Sequence, residues 1–266
     1  MRASDLYESY HTVADIEWVL ENCSDAIALF KRTGKVFYRG TDDVSGITLM
    51  KPNKTARKAA FAKMNLHTDL INSGELGHLP KREIIMTGDI SKAKKYGYPF
   101  VALPTNGALI GCVNEDDVFF MLDTEANNNV FSTHNLSSFY NAIKLCLMAA
   151  YKIANISTTL IENTYVDSMR TLKKLLKALD GYEFTEDELL HIQKELKGDF
   201  ITSVPIELLY EFISDKSIKP IMALFKNNRL TSELLSDMES IVGRFEYWTD
   251  SPTVLLAEET FQSIVR

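Results

Sequence analysis

An arginine closes the run Val36-Phe37-Tyr38-Arg39-Gly40-Thr41, a pattern suited to holding an anion. Phe37 and Tyr38 are aromatic and fit a half-buried strand. Arg39 would then project from the strand end, where a guanidinium can pair bidentately with a phosphate. Gly40 lets the backbone bend where a side chain would obstruct it. Taken alone, an arginine at a strand end is more often a surface ion-pair partner than a phosphate clamp. Other chemistries find little support. The five histidines, His11, His67, His78, His134 and His191, show no metal-ligand spacing. There is no GxSxG elbow, no cysteine–histidine signature and no GxxxxGK[ST] loop. Arg170, Lys173, Lys174 and Lys177 share a helical face, which is ordinarily a solvated face and otherwise a dock for an acidic partner.

The elements that must position Arg39 follow from composition and period. The chain has 266 residues, 45% hydrophobic and 24% charged, with a net charge of −7. That balance is ordinary for a globular protein and unfavourable for a duplex-binding one, which would carry a basic face. A pocket for a small anionic cofactor needs only one or two arginines, so it stays open. Met1 to Asp5 lack a secretory apolar core, and no apolar run reaches the ~20 residues of a membrane span. Cys23, Cys112 and Cys146 are odd in number and widely spaced, which reads as reduced thiols in a cytosol.

Residues 1–33 read as helical, with Ile16, Val19, Leu20, Ala26, Ile27 and Phe30 near a 3.6 period. A strand over 35–39 and a helix over 53–73 follow, then a glycine- and proline-marked loop to Pro80. Ile84-Ile85-Met86 reads as a strand. Asp89 caps a short helix from Ile90 to Tyr96 that stops at Gly97. Phe100 to Leu103 and Ala108 to Val113 flank Pro104-Thr105-Asn106-Gly107, which reads as a hairpin turn. Val118 to Leu122 is another strand candidate. Residues 137–242 read as helical almost throughout, with a leucine stripe ending at Gly181, a capping box at Thr185 and Glu188, and Pro205 early in a helix. Strand character returns at Phe245 to Trp248 and Thr253 to Leu256. The expected class is α+β. Residues 1–134 and 243–266 would form the core, and 135–242 a helical insertion before the last strands.

Three segments together resemble the signatures of ADP-ribosyltransferases of the arginine–serine–glutamate class. They are Tyr38-Arg39-Gly40-Thr41, then Glu83 to Asp89 with Ala93 to Gly97, and Phe245-Glu246-Tyr247-Trp248 running on to Leu255. The block from Pro80-Lys81-Arg82 to Gly107 is also similar to uncharacterised tailed-phage proteins carrying this fold. The resemblance implies a split β-sheet core behind N-terminal helices, and mono-ADP-ribosyl transfer from NAD to a host target without a metal.

In that family Glu246 would stabilise the oxocarbenium-like transition state beside the ribose, as in glycoside cleavage. Arg39 would bind the phosphate or its ribose, with Gly40 beside it. Thr87 would order the strand under the nicotinamide and orient the glutamate, and Tyr96 would stack on the nicotinamide. Met86-Thr87-Gly88 stands where the family carries a Ser-Thr-Ser run. Arg244 stands where arginine-modifying members have an acid or amide. Glu115, Asp116 and Asp117, before Val118-Phe119-Phe120, form a rival third motif at more usual spacing, with Asp117 and Glu115 as alternative catalytic carboxylates. The acceptor would be a host protein or a phage structural protein, nucleic acid being the less expected one. The protein would act in the host cytoplasm or travel in the virion. Two rivals stay open: a virion or interaction protein that keeps the fold without the chemistry, and an inhibitor of a host protein acting through the helical block.

Overall fold

The computed structural model describes residues 10–12, 15–42, 44, 46–52, 71–72, 77–113, 136–164, 169–196, 206–214 and 230–266. It divides into two compact units. The first comprises Met1–Lys58, Ile71–Val118 and Arg229–Arg266 and carries the sheet; the second comprises Ala59–Leu70 and Phe119–Asn228. The class is α+β.

The strands in chain order are β1 (Tyr10–Thr12), β2 (Phe37–Thr41), β3 (Thr48–Met50), β4 (Ile84–Thr87) and β5 (Tyr98–Pro104). They continue with β6 (Leu109–Val113), β7 (Leu230–Leu234), β8 (Glu246–Thr249) and β9 (Thr253–Leu256). Every pairing is antiparallel, and the order across the sheet is β1-β3-β9-β5-β2-β4-β8-β6-β7. The ladder is uneven. β2 pairs with β5 over five positions but with β4 only at Tyr38 and Thr87. The nine strands form one sheet whose ladder is thinnest at that seam, with a longer-laddered wing on either side.

Helices α1 (Ile16–Asn22) and α2 (Ser24–Thr33) meet at Cys23, and α2 ends at Gly34, whose φ of 69° is the left-handed geometry glycine favours. Val19, Cys23, Ala26 and Leu29 from these helices join Phe37, Met86, Val101, Ile110, Tyr247 and Leu255 from the strands in one apolar core. Phe261 of the last helix, α9 (Glu258–Val265), joins the same core and meets Phe30 edge-on at 4.9 Å.

Several expectations are corrected here. Tyr10–Thr12, read as helical, pairs with β3. Leu230–Leu234, also read as helical, pairs with β6 along its whole length. The segments flanking residues 104–107 are strands but do not pair with each other. β5 is filled on both edges by β2 and β9, and β6 by β8 and β7. The turn itself is real, with the Ala108 N–H donating to the Thr105 carbonyl at 3.1 Å. It is tied elsewhere: Asn106 N donates to Asn22 O at 2.7 Å, and Asn106 Oδ1 accepts from Ser24 Oγ and from Asp25 N. The turn thus caps the α1–α2 corner and carries the chain from one wing to the other. β8 and β9 likewise sit in different wings and form no closing hairpin. The expected helix over 53–73 lies outside the described residues except at Ile71 and Asn72, and the strand candidate Val118 to Leu122 and Pro205 lie outside them altogether.

The second unit contains α4 (Leu136–Ile153), α5 (Thr159–Glu162), α6 (Met169–Lys177), α7 (Glu186–Glu195) and α8 (Ile206–Ile213). Leu172, Leu175, Leu176 and Leu179 are buried along the anticipated stripe, and the buried Tyr151 hydroxyl donates to Leu175 O at 2.6 Å. The capping box at Thr185 and Glu188 forms in both directions. Among the described residues no helix is long and apolar enough to cross a membrane.

The three cysteines are free. Burial pushes the thiols of Cys23 and Cys112 from 9.0 up to about 12, and raises Cys146 as well. A thiol raised on folding contributes stability that is complete below pH 9 and lost as pH climbs from there through 12. Alkylation requires the thiolate. Folded protein at pH 8 is therefore expected to take up iodoacetamide far more slowly than the urea-unfolded chain, read by intact mass; equal rates would contradict the buried assignment.

Candidate functional site

Three segments far apart in sequence become neighbours at the seam of the sheet. Tyr38 of β2 pairs with Thr87 of β4, Thr87 with Glu246 of β8, and Glu246 with Val113 of β6. Directly opposed residues on antiparallel strands share a face. Tyr38, Thr87 and Glu246 therefore form one row on one face. Arg39 is one residue further along β2, so its side chain leaves toward the other face. Phe37 and Tyr247 use that other face too, their rings 5.1 Å apart.

Arg39 is buried, and its Nη1 donates to Ile85 O at 2.7 Å. The guanidinium thus reaches from β2 to the backbone of β4 just beyond the last registered pair. In this geometry it bridges the seam instead of projecting from a strand end. The arginine expected to clamp a phosphate here ties β2 to β4, which share one registered pair.

Gly40 also has a different purpose from the bend expected of it. A Cβ there would run into the Ala93 carbonyl oxygen of α3 (Ile90–Ala93), with Tyr96 Cβ 3.0 Å away. The glycine lets this short helix lie directly on β2. Gly40→Ala is expected to push α3 off the strand and destabilise the sheet unit by about 1–3 kcal/mol, as overpacking does. A denaturant midpoint unchanged from wild type would show that α3 is not seated there. Gly88 plays the same part on β4's exit, where a Cβ would lie 2.6 Å from Ile241 Cγ2 and 3.0 Å from Val242 O.

Thr87 is buried, and its Oγ1 donates to Gly243 O at 3.2 Å while accepting from Asp89 N at 3.2 Å. It therefore couples the end of β4 to the loop entering β8. Asp89 caps α3 by accepting from Ser91 N at 2.8 Å. The Thr87 hydroxyl thus joins a strand-to-helix turn to the β8 entry loop. Tyr96, in the 3₁₀ turn Lys94–Tyr96, is 64% exposed, which excludes a core role for it. Arg244 is exposed with its guanidinium 5.5 Å from the Phe245 ring centre. Glu115, Asp116 and Asp117 lie outside the described residues.

Glu246 holds the decisive contact. It is 5% exposed, and its Oε1 accepts from Arg82 Nε at 2.8 Å, the arginine being 6% exposed. Arg82 belongs to a strap over residues 78–82 that crosses the strands and is fastened mainly by backbone groups. His78 O accepts from Ser232 Oγ, Pro80 O from Trp248 Nε1 at 3.0 Å, and Asp250 Oδ2 from Lys81 N at 3.4 Å. Arg82's own N–H donates to Asn72 Oδ1 at 2.7 Å. The sequence reading missed Arg82. The only local signal was an arginine just before a strand, beside an exposed lysine of the same charge.

Beyond Glu246, the chemistry of the neighbourhood is muted. Cys112, opposite Tyr247, has its thiol raised chiefly by burial; a Tyr247 hydrogen bond opposes this, and Glu246 and Glu233 add to it. The Tyr247 phenol is raised by burial and accepts from Val242 N at 2.7 Å. Neither is a ready nucleophile near neutral pH. Among the described residues no group of histidine, cysteine and acidic side chains is arranged to hold a metal ion. What the row can do is present one carboxylate and one hydroxyl on a common face at a seam of the sheet. No protein-family model, curated protein or solved structure matches the chain.

Proposed function

We propose that the sheet unit is an ADP-ribosyltransferase-like domain that takes NAD at the β2–β4 seam and modifies a host or phage protein. The observation that carries this reading is the convergence of three motif segments on three adjacent strands, where the ladder of the sheet is thinnest. In the reaction the bond between nicotinamide and ribose C1 breaks with its electron pair leaving on nicotinamide. Glu246 stabilises the positive charge left on the sugar. A nucleophile on the acceptor then bonds to C1 and gives up its proton. Thr87 holds the loop from which Glu246 enters its strand.

A second reading keeps the architecture without the chemistry, as a virion or interaction protein. One observation favours it: the carboxylate that must face the ribose is buried and already paired with Arg82. The two readings part on NAD. Under the first, NAD raises the melting temperature by mass action and nicotinamide is released; Glu246→Gln, which removes the charge and keeps the shape, lowers that release at least a hundredfold. A melting temperature indifferent to NAD, with no nicotinamide by chromatography, would remove the first reading.

A further inference from the structure

We propose that Asn106 is a site of spontaneous covalent modification that the α1–α2 corner holds shut. While the corner is closed the asparagine persists; once it opens, Asn106 converts through a succinimide to aspartate and isoaspartate. None of this depends on NAD binding. Asn106-Gly107 is the one Asn-Gly pair in the chain, and both residues are exposed to water. A glycine after asparagine puts no side chain in the way of its own backbone nitrogen approaching the asparagine amide.

The step balances with atoms of the chain and water alone. The Gly107 nitrogen gives up its proton and bonds to Asn106 Cγ, closing the succinimide ring. The Cγ–Nδ2 bond breaks, and Nδ2 leaves as ammonia with that proton. Water then opens the ring at either carbonyl. One opening gives aspartate, and the other routes the main chain through the former side-chain carbonyl, which is isoaspartate.

Each group in that step is engaged in the folded protein. The attacking Gly107 N–H donates to Asp25 Oδ2 at 2.9 Å. The leaving group, Asn106 Nδ2, donates to Glu21 O at 2.7 Å. Asn106 Oδ1 accepts from Ser24 Oγ at 3.1 Å and from Asp25 N at 3.0 Å, which fixes the direction of the amide. Cys23 caps α2 with no side-chain bond, so Asn106 supplies from the turn an acceptor that the helix start lacks. Two donors on an amide oxygen and a carboxylate on the attacking N–H could instead promote the attack. The restraining sense wins here. A carboxylate is far too weak a base to strip a peptide nitrogen, and its charge opposes the anion that would form. The amide, moreover, cannot rotate without losing Glu21, Ser24 and Asp25 together.

Conversion also works against reclosure. It removes Nδ2 and with it the bond to Glu21 O, and it sets a new carboxylate beside that of Asp25. The corner is then a one-way latch: opening exposes Asn106 to the chemistry, and the product closes less firmly.

The test incubates the full chain at pH 8 and 37 °C, folded and unfolded in guanidinium chloride, and reads conversion at residue 106 by tandem mass spectrometry. The folded chain is expected to convert at least tenfold more slowly than the unfolded one. Asp25→Ala, shown to be folded by circular dichroism, is expected to convert about tenfold faster than wild type, the scale of one lost hydrogen bond to a charged group. Asp25→Asn keeps an acceptor for the Gly107 N–H and is expected to stay within about threefold of wild type. Should Asp25→Ala fail to fold, Ser24→Ala removes one exposed hydroxyl and is expected to convert about threefold faster. Equal rates in the folded and unfolded wild type would overturn the proposal. So would an unchanged rate in folded Asp25→Ala or, in its place, in Ser24→Ala. A slower rate in Asp25→Ala would overturn it too, and would make Asp25 the base that drives the attack.

Discussion

Truncating Trp248 to alanine is expected to destabilise the sheet unit by about 3–5 kcal/mol, the usual range for a fully buried tryptophan. The side chain is 0% exposed and stands in β8 between β4 and β6. Its indole fills the space above Gly111, where a Cβ would collide with the ring. That glycine has no side-chain atoms with which to fill the void the truncation leaves. The loss has a polar part too: Nε1 donates to Pro80 O at 3.0 Å, and both groups are buried. Trp248→Phe restores much of the volume but no donor, and is expected to cost about 1–3 kcal/mol. For a unit of this size the alanine variant should melt roughly 10 °C lower. Urea unfolding followed by far-UV circular dichroism measures both. A loss under 1 kcal/mol for the alanine variant would mean that the indole is not packed on Gly111.

What made Trp248 and its strap hard to foresee explains the sequence reading's reach more generally. Features set by neighbours within a turn of chain were legible. Asp89 as a cap, Gly34 after α2, the Thr185 capping box and the leucine stripe through Leu176 all depend on residues a few positions away. The strand segments in the core were mostly legible as strands, because their apolar runs suffice. Their partners were not. The turn at 104–107 looks locally like a hairpin because proline, asparagine and glycine set its bend. Which edge the following strand joins is decided by Asn106 bonding to Asn22 and Ser24, more than 80 residues earlier in the chain. β7 was lost for a similar reason. Leu230–Leu234 is short and half polar, with burial limited to alternate positions at best, and only its full ladder to β6 makes it a strand.

The site shows the same limit at closer range. Arg39, Gly40, Thr87 and Glu246 were identified by type and order, and the register does put their strands side by side. Their roles depend on which face each side chain takes, and that depends on register to a single residue. Tyr38 pairing with Thr87 turns Arg39 away from the row. Lys81 and Arg82 are adjacent cations before the same strand, yet one is exposed and the other buried. Arg82 meets a carboxylate 164 positions away, which nothing beside it in the chain announces.

That pair supports the second large prediction, a double-mutant cycle on Arg82 and Glu246. Arg82→Met is expected to cost about 3–5 kcal/mol, because it leaves the Glu246 carboxylate buried without its counter-charge. Glu246→Gln strands the guanidinium in the same way, though an amide oxygen can still accept from Nε, so its cost should be the smaller of the two. The double variant R82M/E246Q removes both charges. Its loss should fall well below the sum of the single losses, with a coupling of about 1–3 kcal/mol. Salt separates this from a surface effect. An exposed ion pair weakens as ionic strength rises through 0.1–1 M, whereas a pair in which both side chains are 7% exposed is screened little. The coupling measured in 1 M salt should therefore match the value in dilute buffer. Additive single losses would mean that the two side chains do not meet in solution, and Glu246 would then be a free carboxylate on the face it shares with Thr87.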